Sequence, residues 1–243
     1  MPRIGVANAR VGGSKRPFLT GSPKPPLSRS GPTDPTGARH VYTRESRTYA
    51  ARVPEFTRAL VPGGTFFFTL VTYARRPVFR AEDARRMLRE SFDRVRRNRP
   101  FTIEAMVLLP EHLHCIWTLP DGDAEFSVRW RKIKESFTRS FLATGGRESL
   151  VTPGQSRKGQ RGVWQQRFWE HTIRDEEDRR RHVDYIHYNP VKHEQAACPH
   201  LWPWSTFAKW VREGFYAADW CCQCEGRTVK APLFDGVAET APE

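Results

Sequence analysis

The run Thr65-Phe66-Phe67-Phe68-Thr69-Leu70-Val71-Thr72-Tyr73 is almost wholly β-branched or aromatic. Such side chains fit a pleated surface and crowd a helix, so the run predicts a buried central strand after the turn Pro62-Gly63-Gly64. The elements downstream set the fold class. Residues 81–97 place Ala84, Met87, Leu88, Phe92 and Val95 at helical spacing, with arginines on the other faces. Residues 101–109 read as a second strand, broken by Pro110-Glu111, and residues 112–119 as a third. Residues 126–142 predict a helix with Trp130, Ile133, Phe137 and Phe141 on one stripe. A polar loop over 145–162 precedes a short strand over 169–174. Asp175 then reads as the N-cap of a helix over 176–189, stopped by Pro190, and residues 205–214 as a last short helix. This order predicts an α+β domain: a ferredoxin-like antiparallel sheet with helices on one face, plus a C-terminal helix.

The flanks have a different composition. Residues 1–54 are rich in Pro, Gly, Ser and Arg and hold ten Lys or Arg against Asp34 and Glu45, a surplus of +8 within a chain total of +13. A segment with no apolar period cannot offset its ordering entropy by burial, so it is expected to be a disordered basic leader. It is either a non-specific DNA tether or upstream sequence from an early start codon. Residues 55–220 form the expected domain and residues 221–243 a polar tail. A pI near 10.0 points to a polyanionic partner. There is no apolar run of membrane-spanning length and no signal-peptide core, so no membrane partner is expected. The odd set Cys115, Cys198, Cys221, Cys222 and Cys224 implies a reducing, cytoplasmic setting. Zinc at Cys221, Cys222 and Cys224 is conceivable, but no second pair lies at finger spacing, and incidental thiols are the preferred reading. Nothing sets the oligomeric state.

The sharpest chemistry lies in Pro110-Glu111-His112-Leu113-His114-Cys115-Ile116-Trp117. On a strand, His112 and His114 project from one face while Leu113, Cys115 and Trp117 take the other. Two imidazoles a pleat apart can bind one divalent metal, although a His-x-His alone is more often a pair of unliganded surface histidines. The second piece is Val183-Asp184-Tyr185-Ile186-His187-Tyr188-Asn189-Pro190-Val191-Lys192. Helical spacing puts Tyr185 and Asn189 on one face, in the final turn before Pro190. Its bland reading is an amphipathic helix with two incidental tyrosines.

Together with Gly63-Gly64-Thr65-Phe66-Phe67-Phe68-Thr69 and Trp164-Gln165-Gln166-Arg167-Phe168-Trp169-Glu170-His171, these segments occur in an order that resembles the REP-associated tyrosine transposases, of the single-tyrosine HUH type. The resemblance spans roughly residues 61–220. It implies that His112, His114 and Asn189 bind Mg²⁺ or Mn²⁺, that Tyr185 is the nucleophile, carried on the C-terminal helix, and that the ligand is single-stranded hairpin DNA. The implied activity is cleavage and rejoining through a 5′-phosphotyrosine. His182 and His187 are candidate bases for Tyr185, as is a water.

For DNA contact, Arg129, Arg131, Lys132, Lys134 and Arg139 flank the apolar stripe of the second helix, and Arg167 and Arg174 neighbour aromatics on which bases could stack. The competing class is a domesticated hairpin-binding protein that no longer cuts, against which the intact His112, His114, Tyr185 and Asn189 argue. Replication and conjugation initiators usually carry their histidines after the tyrosine; here the order is reversed. A metal hydrolase using water is the remaining alternative.

Overall fold

The computed structural model describes residues 60–224. The leader expected over 1–54 and most of the expected tail lie outside the described residues. Four strands and five α-helices occur there in the order β1 (Thr65–Val71), α1 (Glu82–Asn98), β2 (Thr102–Leu108), β3 (His112–Thr118), α2 (Phe126–Ala143), α3 (Pro153–Arg157), β4 (Trp169–Thr172), α4 (Glu176–Lys192) and α5 (Phe207–Arg212). The strands form one antiparallel sheet, ordered β2-β3-β1-β4, which is the ferredoxin-like arrangement.

Alternation along the central strands divides the core in two. Phe66, Phe68 and Leu70 of β1 join Leu113, Cys115 and Trp117 of β3 under α1 and α2. The α1 contribution is Ala84, Met87, Leu88, Phe92 and Val95; α2 adds Phe126, Trp130, Ile133 and Phe137. Trp130 stacks on Trp117 at 4.0 Å between ring centroids. Phe67 and Ile116 point the other way, where Val183, Tyr185 and Ile186 of α4 cover them together with Trp210 of α5. The helix bearing Tyr185 therefore packs on the sheet face opposite α1 and α2.

Several expectations change. The loop expected over 145–162 contains α3, whose Thr152 and Gln155 form a reciprocal capping box. Asp175 caps α4 as expected, accepting from Asp178 N at 2.8 Å. Pro190 does not stop α4: the helix runs through it to Lys192 and is capped at His193. Proline withholds a single N–H, and the turn after it closes through His193 N to Asn189 O and Gln195 N to Pro190 O. Asn189 thus opens a last turn that is itself closed by hydrogen bonds. Cys221 and Cys222 are buried, so the described part of the expected tail packs on the domain. Among the described residues, no helix is long and apolar enough to cross a membrane.

Candidate active site

The antiparallel register of β1 and β3 sets Thr69 opposite His114 and Val71 opposite His112. Both histidines face α4 and are almost fully buried. Each ring is fixed through Nδ1: His114 shares a 2.8 Å hydrogen bond with the Thr69 hydroxyl, and His112 lies 2.9 Å from Glu111 Oε1. The tautomer that donates Nδ1–H leaves the Nε2 lone pair available to a cation. His112 Nε2 stands 3.3 Å from Asn189 Oδ1, and the two imidazole centroids are 4.9 Å apart. Asn189 is completely buried, and its Nδ2 has no hydrogen-bond partner among the described residues. His112 Nε2 and Asn189 Oδ1 thus meet beside the His114 ring, at a spot where the buried Asn189 amide lacks a full set of partners, and a ligand there would complete it.

Tyr185 flanks this cluster, its ring 5.1 Å from that of His114 and 6.0 Å from that of Phe67, which forms the floor. Burial pushes its phenol above the ordinary tyrosine value, while hydrogen bonding to Asn189 and the charge of Arg75 pull it back. The ammonium of Lys192 lies 5.2 Å from the centre of the Tyr185 ring, and burial lowers its pKa. Burial also holds His114 well below the usual histidine value, and the nearby His112, His193 and Lys192 add to that. A neutral imidazole is the form that can donate its lone pair to a cation.

The second tyrosine of the motif is engaged elsewhere. Tyr188 packs with Val191 and Cys221, and its hydroxyl accepts from Gln223 Nε2 at 3.1 Å. His187 bonds to the Thr206 hydroxyl within a cage of Phe207, Trp210 and Tyr216. His182 donates through Nδ1 to Asp178 O and lies against Phe67 and His171. Both histidines named as candidate bases are therefore built into packing contacts.

The basic residues separate into two groups. Arg131, Lys132, Arg139, Arg167 and Arg174 are exposed. Arg131 and Arg139, with Lys134, Tyr73, Trp164 and Phe168, line an open groove of about 660 Å³. Lys134 reaches the carbonyl of Gln165 at 2.5 Å, bracing the segment before β4. Arg129 is a correction: only 1% exposed, it forks onto Asp123 at 2.6 and 2.9 Å and donates to the carbonyls of Arg99 and Pro100. It is a buried structural cation, out of reach of DNA.

Sequence reasoning misses Thr69, Glu111, Phe67, Lys192 and His193, the last 5.1 Å from His112 between ring centroids. Glu111 and Lys192 lie within the two motifs and His193 follows the second, which is the available signal. Thr69 becomes visible only through strand register.

No family model matches the chain. A REP-associated tyrosine transposase of Escherichia coli (strain K12) is 45% identical over 166 residues, covering 68% of this chain and 90% of that protein. The chain belongs to the REP-associated tyrosine transposases. A protein of Haemophilus influenzae (strain ATCC 51907 / DSM 11121 / KW20 / Rd) given the same family name is 34% identical over 165 residues, covering 68% and 92%. A solved structure of a REP-associated tyrosine transposase bound to a REP hairpin superposes with a TM-score of 0.59 at 39% identity, covering 78% of this chain and 97% of that one. Membership in the transposase family, the four-stranded antiparallel sheet and the helices packed on it therefore agree with one another.

Proposed function

We propose that this chain cleaves and rejoins single-stranded, REP-like hairpin DNA, with Tyr185 as nucleophile and Mg²⁺ or Mn²⁺ held by His112, His114 and Asn189. The observation that carries the reading is the meeting of His112 Nε2 and Asn189 Oδ1 at 3.3 Å beside the ring of Tyr185. The hairpin-bound relative supports the substrate class. A donor set of two imidazoles and an amide oxygen, without thiolate, suits a hard octahedral cation better than structural zinc. When bound, such a cation would neutralise phosphate charge and favour departure of the 3′ oxygen.

The remaining work falls to the protein. Glu111 and Thr69 orient the two rings, and Glu111, whose carboxylate only accepts, favours the His112 tautomer that leaves Nε2 for a cation. Phe67 and the surrounding sheet keep water from the phenol, which burial maintains in its protonated form until substrate arrives. Tyr185 Oη then forms a bond to phosphorus while the P–O3′ bond breaks. The phenolic proton is passed on to the departing oxygen, which is released as a 3′-hydroxyl. Phenol, with a pKa of about 10, is a better leaving group than an alkoxide, so a second 3′-hydroxyl can attack the phosphotyrosine and reseal the strand without ATP. Lys192 lies on the phenol ring, where a positive charge favours the developing phenolate.

The test is incubation of the purified chain with labelled single-stranded hairpin DNA from the flanks of its own gene. A covalent protein–DNA species on a denaturing gel is the expected result. Tight hairpin binding with no adduct, in the presence of either metal, would overturn the cleavage reading in favour of a domesticated hairpin-binding protein.

A further inference from the structure

Three cysteines whose sulfurs could hold a metal meet near the C-terminal end of the described residues, and His200 lies against one of them. Cys198 and His200 come from the segment after α4, and Cys222 and Cys224 from the segment after α5. The ligand atoms of Cys198, Cys222 and Cys224 all lie within 4.8 Å of one another, and the sulfurs of Cys198 and Cys224 are at bonding contact, as a disulfide pair. His200 Nδ1 is 3.4 Å from Cys222 Sγ. Cys198 and Cys222 are buried, Cys224 is half-buried and His200 is exposed. The pattern is a Cys-x-His pair and a Cys-x-Cys pair brought together by the fold. Sequence reasoning prefers incidental thiols because it seeks a partner pair at finger spacing, and the intervening α5 makes the separation longer than that.

The geometry points to a structural zinc site formed by Cys198, His200, Cys222 and Cys224. Zinc bonds of about 2.3 Å to sulfur and about 2.0 Å to nitrogen put tetrahedral ligand atoms about 3.5–3.8 Å apart. The His200–Cys222 separation is close to one edge of that tetrahedron. Thiolates select a soft or borderline cation, so the site excludes the Mg²⁺ or Mn²⁺ proposed at His112 and His114. Four protein donors leave no open position, which makes the role structural. Starting from the reduced chain, as under the reducing conditions of the test, binding converts three thiols to thiolates and releases three protons, and no electrons move.

The two segments are already stitched together beside the site. Gln223 N donates to Ala197 O at 2.8 Å, and Gln223 Nε2 donates to the Tyr188 hydroxyl of α4 at 3.1 Å. Zinc would clamp the segment after α5 onto the helix that carries Tyr185 and Asn189. A Cys198–Cys224 disulfide is the competing arrangement. It uses two of the four donors and leaves out Cys222, whose sulfur lies within 4.8 Å of both and against His200 Nδ1.

The test is metal analysis of the full chain purified under reducing conditions without added metal. About one zinc per chain is expected. Occupancy should survive in the His112→Ala/His114→Ala double variant and fall at least tenfold in Cys222→Ser. Because Cys222→Ser can lower the yield of folded chain, Co²⁺ exchange into the unaltered protein provides a second readout. Thiolate-to-cobalt charge transfer and intense tetrahedral d–d bands are expected, together with a zinc absorption-edge shell of three sulfurs and one nitrogen. Zinc-free protein that takes up no Co²⁺ would overturn the proposal, as would a Cys198–Cys224 cross-linked peptide found in that protein. So would zinc that disappears with His112 and His114.

Discussion

Asn189 Oδ1 stands 3.3 Å from His112 Nε2 and so joins α4 to β3 across 77 residues of sequence. The two donors are not equivalent. Imidazole is the stronger ligand, whereas a water can replace a neutral amide oxygen. His112→Ala and His114→Ala are each expected to abolish cleavage, and Asn189→Ala to reduce it less. EDTA should stop the reaction, with Mg²⁺ or Mn²⁺ restoring it. Full activity in EDTA would sink the proposed metal dependence.

Tyr185 is expected to be the residue that becomes linked to DNA. Tyr185→Phe should keep hairpin affinity and give no covalent species on a denaturing gel. Tyr188→Phe should still form the adduct, because the Tyr188 hydroxyl is held by Gln223 on another face of α4. The reverse pattern would reassign the nucleophile.

Thr69→Val removes the hydroxyl that fixes His114 while keeping the β-branched shape. Loss of such an outer partner typically costs about 10–100-fold in metal affinity or activity. The expected signature is a higher Mn²⁺ concentration for half-maximal cleavage with hairpin affinity unchanged. An equal loss of hairpin binding would assign Thr69 a merely structural role.

The two kinds of arginine should separate experimentally. Arg129→Ala is expected to lower stability by roughly 2–4 kcal/mol, read from the urea midpoint, since it strips a buried fork from Asp123 and two carbonyls. Arg131→Ala and Arg139→Ala should change stability by no more than about 0.5 kcal/mol. Each should instead weaken hairpin binding and flatten its salt dependence by a slope of about 0.7–0.9.

Acid should loosen the underside of α4 before it strips the rest of the domain. Burial depresses His182 from 6.5 to about 4, despite the opposing pull of Asp178, and His171 and Arg181 also face it. Between those two pH values the unfolded chain holds a proton at His182 that the folded chain lacks. The contribution is therefore intact above pH 6.5 and is lost as pH falls toward 4. The slope is at most about 1.4 kcal/mol per pH unit for this one proton. Urea midpoints measured across that window should decline less steeply in His182→Phe than in the unaltered chain. Parallel curves would rule His182 out as the acid-sensitive group.

Much of this architecture is legible in the sequence because its signals are local. The aromatic run Phe66-Phe67-Phe68, the stripe from Trp130 to Phe137 and the Asp175 cap each declare an element within a few residues, and order alone then gives the ferredoxin-like sheet. His112, His114, Tyr185 and Asn189 are legible as two motifs, but their meeting depends on α4 crossing the sheet face left open by α1 and α2. Arg129 misleads because charge is ordinarily a sign of exposure. Its place between Phe126 and Ile133 in the apolar stripe is the contrary signal. Pro190 misleads because a proline breaks a helix only where its missing N–H and its ring find no accommodation, and this helix is already near its end. Thr69 and the meeting of Cys198 with Cys222 arise from pairing at long range, which no local window contains.

The alternation of Phe66, Phe67 and Phe68 has a consequence for how this molecule fails. Because successive side chains of β1 serve opposite layers, a slip of one residue against β3 would turn Thr69 away from His114 and take Phe67 from beneath Tyr185. It would also drive Phe67 into the space that Phe66 and Phe68 now share with Trp117 and Trp130. The ladder's hydrogen bonds alone would hardly register the difference. For the proposed cleavage, such a slip is expected to inactivate whole molecules rather than slow all of them: a preparation with half the activity would be a mixture of intact and dead copies, and single-turnover counting would show two populations.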